Sequence, residues 1–177
     1  MTQDAATPQV SIRPSAMQSG LVFSELKDMA ALDDIVFLAK QAHEESRFSY
    51  IEFAPHKVTE IAERAIRDPK RHGAMIAWSN GKPVGFLYCS VGEYHIGVGT
   101  LVTTVHNVNV LKDVRHGLSG GRVALGLFKG LETWSQSRSS TEILFHVTSD
   151  VDLGRTHKFI KRIGYRFIGG SYAKRII

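Results

Sequence analysis

The stretch from Val108 to Val147 constrains the fold most, because it reads as strand, glycine-rich loop, helix and strand in succession. Two strands joined through a helix usually lie parallel in one sheet, and the helix crosses a face of that sheet. Upstream, two strand-like runs flank Asn80-Gly81, a dipeptide that favours the tight turn of an antiparallel hairpin. A sheet that contains both arrangements is mixed, so the chain is predicted to be an α/β domain.

The rest of the chain adds helices and strands on both sides of this block. Asp28 predicts the N-cap of a first helix, Pro55 opens a second, and the crossover helix is predicted from about Gly121 to Arg138. The closing segment "YRFIGGSYAKRII" reads as strand, turn and strand. We therefore predict a mixed, mostly antiparallel sheet of six to seven strands, flanked by about four helices.

Length and composition indicate one ordinary globular domain. The chain has 177 residues, of which 43% are hydrophobic and 22% are charged. Residues 1–19 contain two prolines and many small polar residues, so we expect a loosely docked arm there and a domain over 20–177. A single cysteine and no apolar run of membrane length predict a cytoplasmic protein without disulfides, metal or membrane association. The net charge of +5 suits an anionic ligand, and it is the only support for a nucleic-acid-binding module.

The glycine-rich loop carries the clearest chemical signal. A turn rich in glycine leaves its backbone N–H groups open, and the helix that follows adds free N–H groups and a partial positive charge. Such a loop binds phosphate, and Arg115 and Arg122 bracket it. Neither the Walker pattern nor the dinucleotide pattern G-x-G-x-x-G occurs here.

The same loop also spells the nucleophile pattern of serine hydrolases. Gly117-Leu118-Ser119-Gly120-Gly121 matches G-x-S-x-G, and Asp150 or Asp152 and then His157 follow in hydrolase order. A polar run separates Ser119 from the preceding strand, and the aspartates and the histidine crowd one turn. We therefore rank this alternative well below phosphate binding.

Taken together, Val108 to Tyr172 resembles the GNAT superfamily of acyl-CoA-dependent N-acyltransferases. The block "VNVLKDVRHGLSGGRVALGLFKGLETWSQ" looks like the strand, pyrophosphate loop and helix of that family. The end "THKFIKRIGYRFIGG" looks like its closing helix and strand, and Ile163-Gly164-Tyr165 supplies the hydrophobic-Gly-aromatic step. The resemblance implies a GNAT-like domain that uses acetyl-CoA as co-substrate.

The resemblance also implies a set of residues that contact CoA. The strand backbone would pair with the pantetheine arm, and the loop with the helix start would hold the pyrophosphate. The loop is one or two residues longer than the family pattern, and we favour the frame in which Gly121 begins the helix. The predicted cofactor-binding residues are Asn109, Val110, Leu111, Arg115, Leu118, Ser119, Gly120, Gly121, Arg122 and Val123.

Catalysis in this family needs a base that takes a proton from the amine. We predict His146 or His106 for this role, and strand alternation would place His106 on the same face as Val108 and Val110. The family often has a tyrosine five residues before the closing aromatic residue, where this chain has Ile160. Tyr165, Tyr172 or a water molecule remain as substitutes, as does the absence of any acid.

The prediction is an N-acetyltransferase that acts on a primary amine of a small molecule or a peptide. The segment from His43 to Phe53 would shape the acceptor pocket, because its carboxylates and aromatic rings suit a cationic amine. The alternative within the same fold is an acyl-CoA-binding domain without catalysis, which Ile160 favours. Homodimers are common in the family, so the resemblance allows a homodimer here.

Overall fold

The structure is a computed structural model that describes residues 20–176. It contains one five-stranded sheet in the order β1-β2-β3-β4-β5. The strands are β1 (Leu21–Glu25), β2 (His72–Ser79), β3 (Lys82–Glu93), β4 (Leu101–Val110) and β5 (Glu142–Phe145). Strands β1 to β4 pair antiparallel and β5 joins β4 in parallel, which confirms the predicted mixed sheet. The predicted arm, residues 1–19, lies outside the described residues.

Helices flank both faces of this sheet. Within the described residues they are α1 (Leu32–Glu45), α2 (Pro55–Arg67), α3 (Lys112–Arg115), α4 (Leu118–Gln136) and α5 (Leu153–Arg162). Asp28 caps as predicted, because its carboxylate accepts the N–H of Ala30 at 2.8 Å and opens a 3-10 turn that leads into α1. The predicted turn is also present, since Asn80 and Gly81 have φ values of 49° and 75°.

The two faces of the sheet bury two separate hydrophobic clusters. Side chains alternate along each strand, so Ile76 and Phe86 contact the α1 and α2 side, whereas Leu87 contacts the α4 side. Both faces are covered, which explains why β2 and β3 read as continuous apolar runs. One face of α4 is buried through Val123, Leu127, Phe128, Leu131 and Trp134, and Leu131 is fully inaccessible.

Two glycines let α4 approach the sheet closely. A Cβ at Gly126 would lie 1.9 Å from Cζ of Phe23 in β1, and a Cβ at Gly130 would lie 2.9 Å from the sulfur of Met75 in β2. Glycine weakens a helix interior by about 1 kcal/mol. Here the missing side chains make room for the two strands.

Two predictions about the secondary structure are wrong. The closing segment after α5 forms no strand within the described residues, so the sheet has five strands instead of six or seven. A strand needs a partner edge, and β5 offers only four residues, while Gly169 and Gly170 weaken the segment itself. α4 begins at Leu118 instead of Gly121, because the extended backbone of Gly117 already serves as its N-cap.

Candidate functional site

The sheet opens between β4 and β5. Their pairing runs from Val102 opposite Glu142 to Val105 opposite Phe145. β5 ends at Phe145, whereas β4 continues to Val110. Over the described residues, β4 positions 106–110 therefore have no strand beside them on the β5 side. An unpaired strand edge can hydrogen-bond an extended ligand as if the ligand were another strand.

The ladder with β3 determines which backbone groups reach this open edge. Leu111 donates its backbone N–H to β3 at 2.9 Å. Alternate residues of an antiparallel strand bond to the same neighbour, so Asn109 also faces β3, while Val108 and Val110 face the open edge. Of the predicted set Asn109, Val110 and Leu111, only Val110 has its N–H on this edge. Val108, which the sequence did not single out, also faces it.

The N-terminus of α4 is a second binding element. Gly117 is the N-cap, and no side chain caps the helix. Leu118 and Ser119 follow it and are exposed, whereas Gly120 is buried and donates its N–H to the carbonyl oxygen of Gly117 at 3.2 Å. The first turn therefore offers the N–H groups of Leu118 and Ser119 to a ligand. The end of a helix carries about half a positive charge, and it binds phosphate readily. Arg122 is exposed just beyond this turn.

A further cation approaches this helix end from α5. Nη1 of Arg155 lies 3.4 Å from Nδ1 of His116, the residue before the N-cap. Arg155 also pairs with Asp152 at 3.3 Å. The sequence did not predict this approach, because it depends on how α5 packs against the loop before α4.

Adjacent glycines in the first turn have different surroundings. A Cβ at Gly120 would lie 2.6 Å from Cα of Arg115 and from the carbonyl oxygen of Val114, so only glycine lets α3 pack against α4. A Cβ at Gly121 would meet nothing within 4 Å. Val123 is 1% exposed and belongs to the core. Of Gly120, Gly121 and Val123, which were predicted to contact CoA, only Gly121 borders open space.

Arg115 is held by protein groups. Its guanidinium donates to Oε2 of Glu45 at 2.7 Å, to Oδ1 of Asn109 at 3.2 Å and twice to the carbonyl oxygen of Val110. Its side chain is 16% exposed. The arginine thus ties the end of α1 to the end of β4. Nδ2 of Asn109 is buried beside it and has no hydrogen-bond partner within the described residues.

A β-bulge in β4 re-aims His106. Tyr88 pairs with Asn107 and Cys89 pairs with Val105, so His106 is one extra residue on β4. Without the bulge, His106 would share the α4-facing side with Val108, as the alternation predicted. That prediction is wrong, because the ring of His106 lies against Tyr88 on the α1 and α2 side, 5.3 Å between centroids.

The surroundings of His106 favour its neutral form. Burial lowers the pKa of His106, and the charges of His72 and His146 lower it further. Burial also lowers the pKa of His72, together with the charge of Arg64. A histidine that stays neutral near pH 7 can accept a proton. His146, the other predicted base, follows the last residue of β5 and is exposed.

The two tyrosines predicted as substitute acids differ in burial, since Tyr165 packs against the core and Tyr172 lies on the surface. Gly164 has φ 98° and ends α5 in a Schellman cap, in which Tyr165 donates its N–H to the carbonyl oxygen of Ile160. This cap turns Tyr165 inward against Phe128, at 5.6 Å between ring centroids. Burial raises the pKa of Tyr165 to about 12, and its hydroxyl has no partner within the described chain. Tyr172 is fully exposed.

The α1–α2 loop forms a rim near the end of β5. Arg47 donates its backbone N–H to the carbonyl oxygen of Ser149 at 2.9 Å, which links this loop to the β5–α5 connection. The guanidinium of Arg175 lies 4.3 Å from the ring centroid of Tyr50. Phe48 and Tyr50 are exposed, and Glu52 is exposed beside them. The loop therefore presents the aromatic rings and the carboxylate predicted for it.

Other chemistries find little support in the described residues. No hydrogen bond joins Ser119 to a histidine within residues 20–176, and His157 packs against Phe167 instead. No cluster of three metal-ligating side chains occurs within the same residues. None of the helices described is long and apolar enough to cross a membrane.

Comparison with solved structures identifies the architecture. The aminoglycoside N-acetyltransferase AAC(6′)-Iy in complex with CoA superposes with a TM-score of 0.69 at 15% identity, over 89% of this chain and 95% of that one. A ribosomal-protein-alanine N-acetyltransferase from Brucella melitensis gives 0.63 at 18% identity, over 89% and 99% of the chains. The chain has the GNAT fold. A transcriptional regulator from Bacillus halodurans shares it, with a TM-score of 0.65 at 14% identity, over 88% and 99%.

Sequence similarity adds nothing to this result, since no family model and no curated protein matches the chain.

Within the GNAT fold of this chain, a groove of about 850 Å³ runs along the outer edge of β5. His146, Ile160 and Tyr165 line it, together with residues 163–171. The two predicted closing strands would have covered this edge.

Proposed function

We propose that the chain is an N-acetyltransferase that transfers the acetyl group of acetyl-CoA to a primary amine. The observation that carries this proposal is the open edge of β4 beside the uncapped N-terminus of α4. The edge suits the amides of a pantetheine arm, and the helix end suits a pyrophosphate. Known proteins of this fold that are N-acetyltransferases, including one in complex with CoA, support the same reading.

The residues around the opening fit CoA. Val108 and Val110 would pair with the pantetheine arm, and the N–H groups of Leu118 and Ser119 would hold the pyrophosphate, with the open space at Gly121 beside it. Arg122 and Arg155 lie near enough to add charge-assisted hydrogen bonds. Bound acetyl-CoA supplies the thioester, and the backbone N–H groups of the β4 edge would polarise its carbonyl.

We assign the role of base to His106. An amine must lose a proton to attack a thioester, and a neutral imidazole with a lowered pKa can take it. His146 is the alternative, because it lies where β4 and β5 part. No acid is assigned, since Ile160 cannot donate a proton and the hydroxyl of Tyr165 is buried. A positioned amine and a base are sufficient for direct transfer.

The acceptor is a cationic amine, bound by the α1–α2 loop. Phe48 and Tyr50 offer aromatic faces and Glu52 offers a carboxylate, which together suit an ammonium group. Proteins of this fold act on aminoglycosides and on a ribosomal protein, according to their names, so small molecules and peptides both belong in a screen. A homodimer in solution is part of the same proposal.

A second candidate is an acyl-CoA-binding domain without catalysis. Ile160 at the usual acid position is the observation that favours it. The two candidates separate in one assay, the release of CoA thiol from acetyl-CoA in the presence of a panel of amines. Turnover that His106→Gln abolishes supports the transferase. Tight binding of acetyl-CoA without turnover on any amine supports the binding domain.

A further inference from the structure

A polar chain surrounds His106 on the α1 and α2 side of the sheet. Oγ of Ser90 lies 2.7 Å from Nε2 of His106. The ring of Tyr88 stands beside the imidazole, 5.3 Å between centroids. Nδ1 of His72 lies 2.9 Å from the hydroxyl of Tyr88. The residue Tyr88 is 9% exposed. The bulge in β4 brings His106 to these β3 side chains.

We propose that Ser90 is a positioning residue that holds Nε2 of His106, so that Nδ1 is the nitrogen that takes the proton from the acceptor amine. The inference deepens the proposed function and rests on it. Ser90 lies on β3, outside the residues that the opening between β4 and β5 singles out.

The argument follows from the hydrogen-bonding capacity of imidazole. A neutral histidine has one N–H donor and one acceptor nitrogen. Nε2 is occupied by Ser90, whereas Nδ1 has no hydrogen-bond partner within the described residues. When Nε2 carries the hydrogen and donates it to Ser90, the lone pair of Nδ1 is free to accept a proton. The opposite tautomer leaves no free lone pair, because Nδ1 is protonated and Ser90 covers Nε2.

Tyr88 limits how the ring can turn. It is nearly buried, and His72 on β2 holds its hydroxyl. His106 is exposed, so the hydrogen bond to Ser90 and the Tyr88 ring beside it are the contacts that orient its imidazole. Such a fixed base favours catalysis, because misplacement of a reacting group by about 1 Å costs up to roughly a hundredfold in rate. The charged groups that act on His106 are His72, on β2 beyond β3, and His146, which follows the end of β5.

The test compares Ser90→Ala with Ser90→Thr, and uses Ser79→Ala in β2 as a matched control. Nitrogen NMR of the free protein reports the tautomer of His106, and His106→Gln assigns its signals. We expect the Nε2–H tautomer in the wild type, a mixture in Ser90→Ala, and the wild-type tautomer in Ser90→Thr. With acetyl-CoA and an accepted amine, Ser90→Ala should lower kcat by about tenfold with little change in KM, and threonine should restore it.

The outcomes distinguish a failure of the role proposed for Ser90 from a failure of the acetyltransferase proposal. An unchanged tautomer in Ser90→Ala, or an unchanged kcat, overturns the role of Ser90 even when the wild type is an active acetyltransferase. A wild type that accepts no amine overturns the proposed function and the proton transfer to Nδ1. In that case the NMR result still decides whether Ser90 fixes the ring. A loss in Ser90→Ala that threonine does not restore contradicts the hydrogen-bond argument.

Discussion

Adding one methyl group at Gly120 should destabilise the protein, whereas adding it at the next residue should not. The Cβ of Gly120→Ala would lie 2.6 Å from Cα of Arg115 and 2.6 Å from the carbonyl oxygen of Val114. Both are backbone atoms of α3, so they cannot move aside unless α3 and the loop that follows it shift. Overpacking of this kind costs about 1–3 kcal/mol, and alanine returns at most about 1 kcal/mol through helix propensity.

The matched control is Gly121→Ala. Its Cβ would meet no atom within 4 Å, so only the gain in helix propensity remains, up to about 1 kcal/mol. Urea denaturation of both variants measures the free energy of unfolding. We expect a loss for Gly120→Ala and no change or a small gain for Gly121→Ala. Equal values for the two variants, or a stabilised Gly120→Ala, would refute the assignment of Gly120 to close packing.

Other variants test the remaining contacts. Glu45→Gln should lower the free energy of unfolding by about 1–3 kcal/mol in urea denaturation, because it removes the charge that holds the largely buried Arg115; an unchanged value would mean the pair adds nothing. Gly126→Ala should lower Tm because its Cβ overlaps the ring of Phe23, and Phe23→Ala in the same chain should recover part of the loss; a double variant no better than Gly126→Ala argues against this overlap. The folded pKa of His106 is lowered, so the unfolded chain binds more protons as the pH falls, and stability should decrease from about pH 7 to pH 5. His106→Gln should flatten that decrease in thermal melts, and a pH profile equal to that of the wild type would contradict the lowered pKa.

The sheet was predictable because its signals are local. Asn80-Gly81 fixes a hairpin by its positive φ values, and Pro55 can begin a helix but not continue one. The parallel pairing of β4 and β5 follows from the helix between them. The closing strands were predicted from a local pattern of strand and turn residues, whereas the edge they could join is the four-residue β5, and within the described residues they form no strand.

The candidate site was less predictable, because it depends on contacts between distant segments. The loop and helix start were found from glycine and arginine, but Gly120 and Gly121 look equivalent in the sequence and differ only in what lies beside them. Arg115 meets Glu45 across 70 positions. The bulge at His106 has no marker in the sequence, and it reverses the face that alternation predicts.

Calorimetric titration with acetyl-CoA tests the central claim most directly. The wild type should bind with a Kd of micromolar order, and Gly121→Trp should abolish binding by covering the helix N-terminus. Lys129→Trp places the same side chain on an exposed position further along α4 and should leave the affinity unchanged. Absence of binding by the folded wild type, or equal affinity in all three proteins, would contradict a CoA site at this helix end.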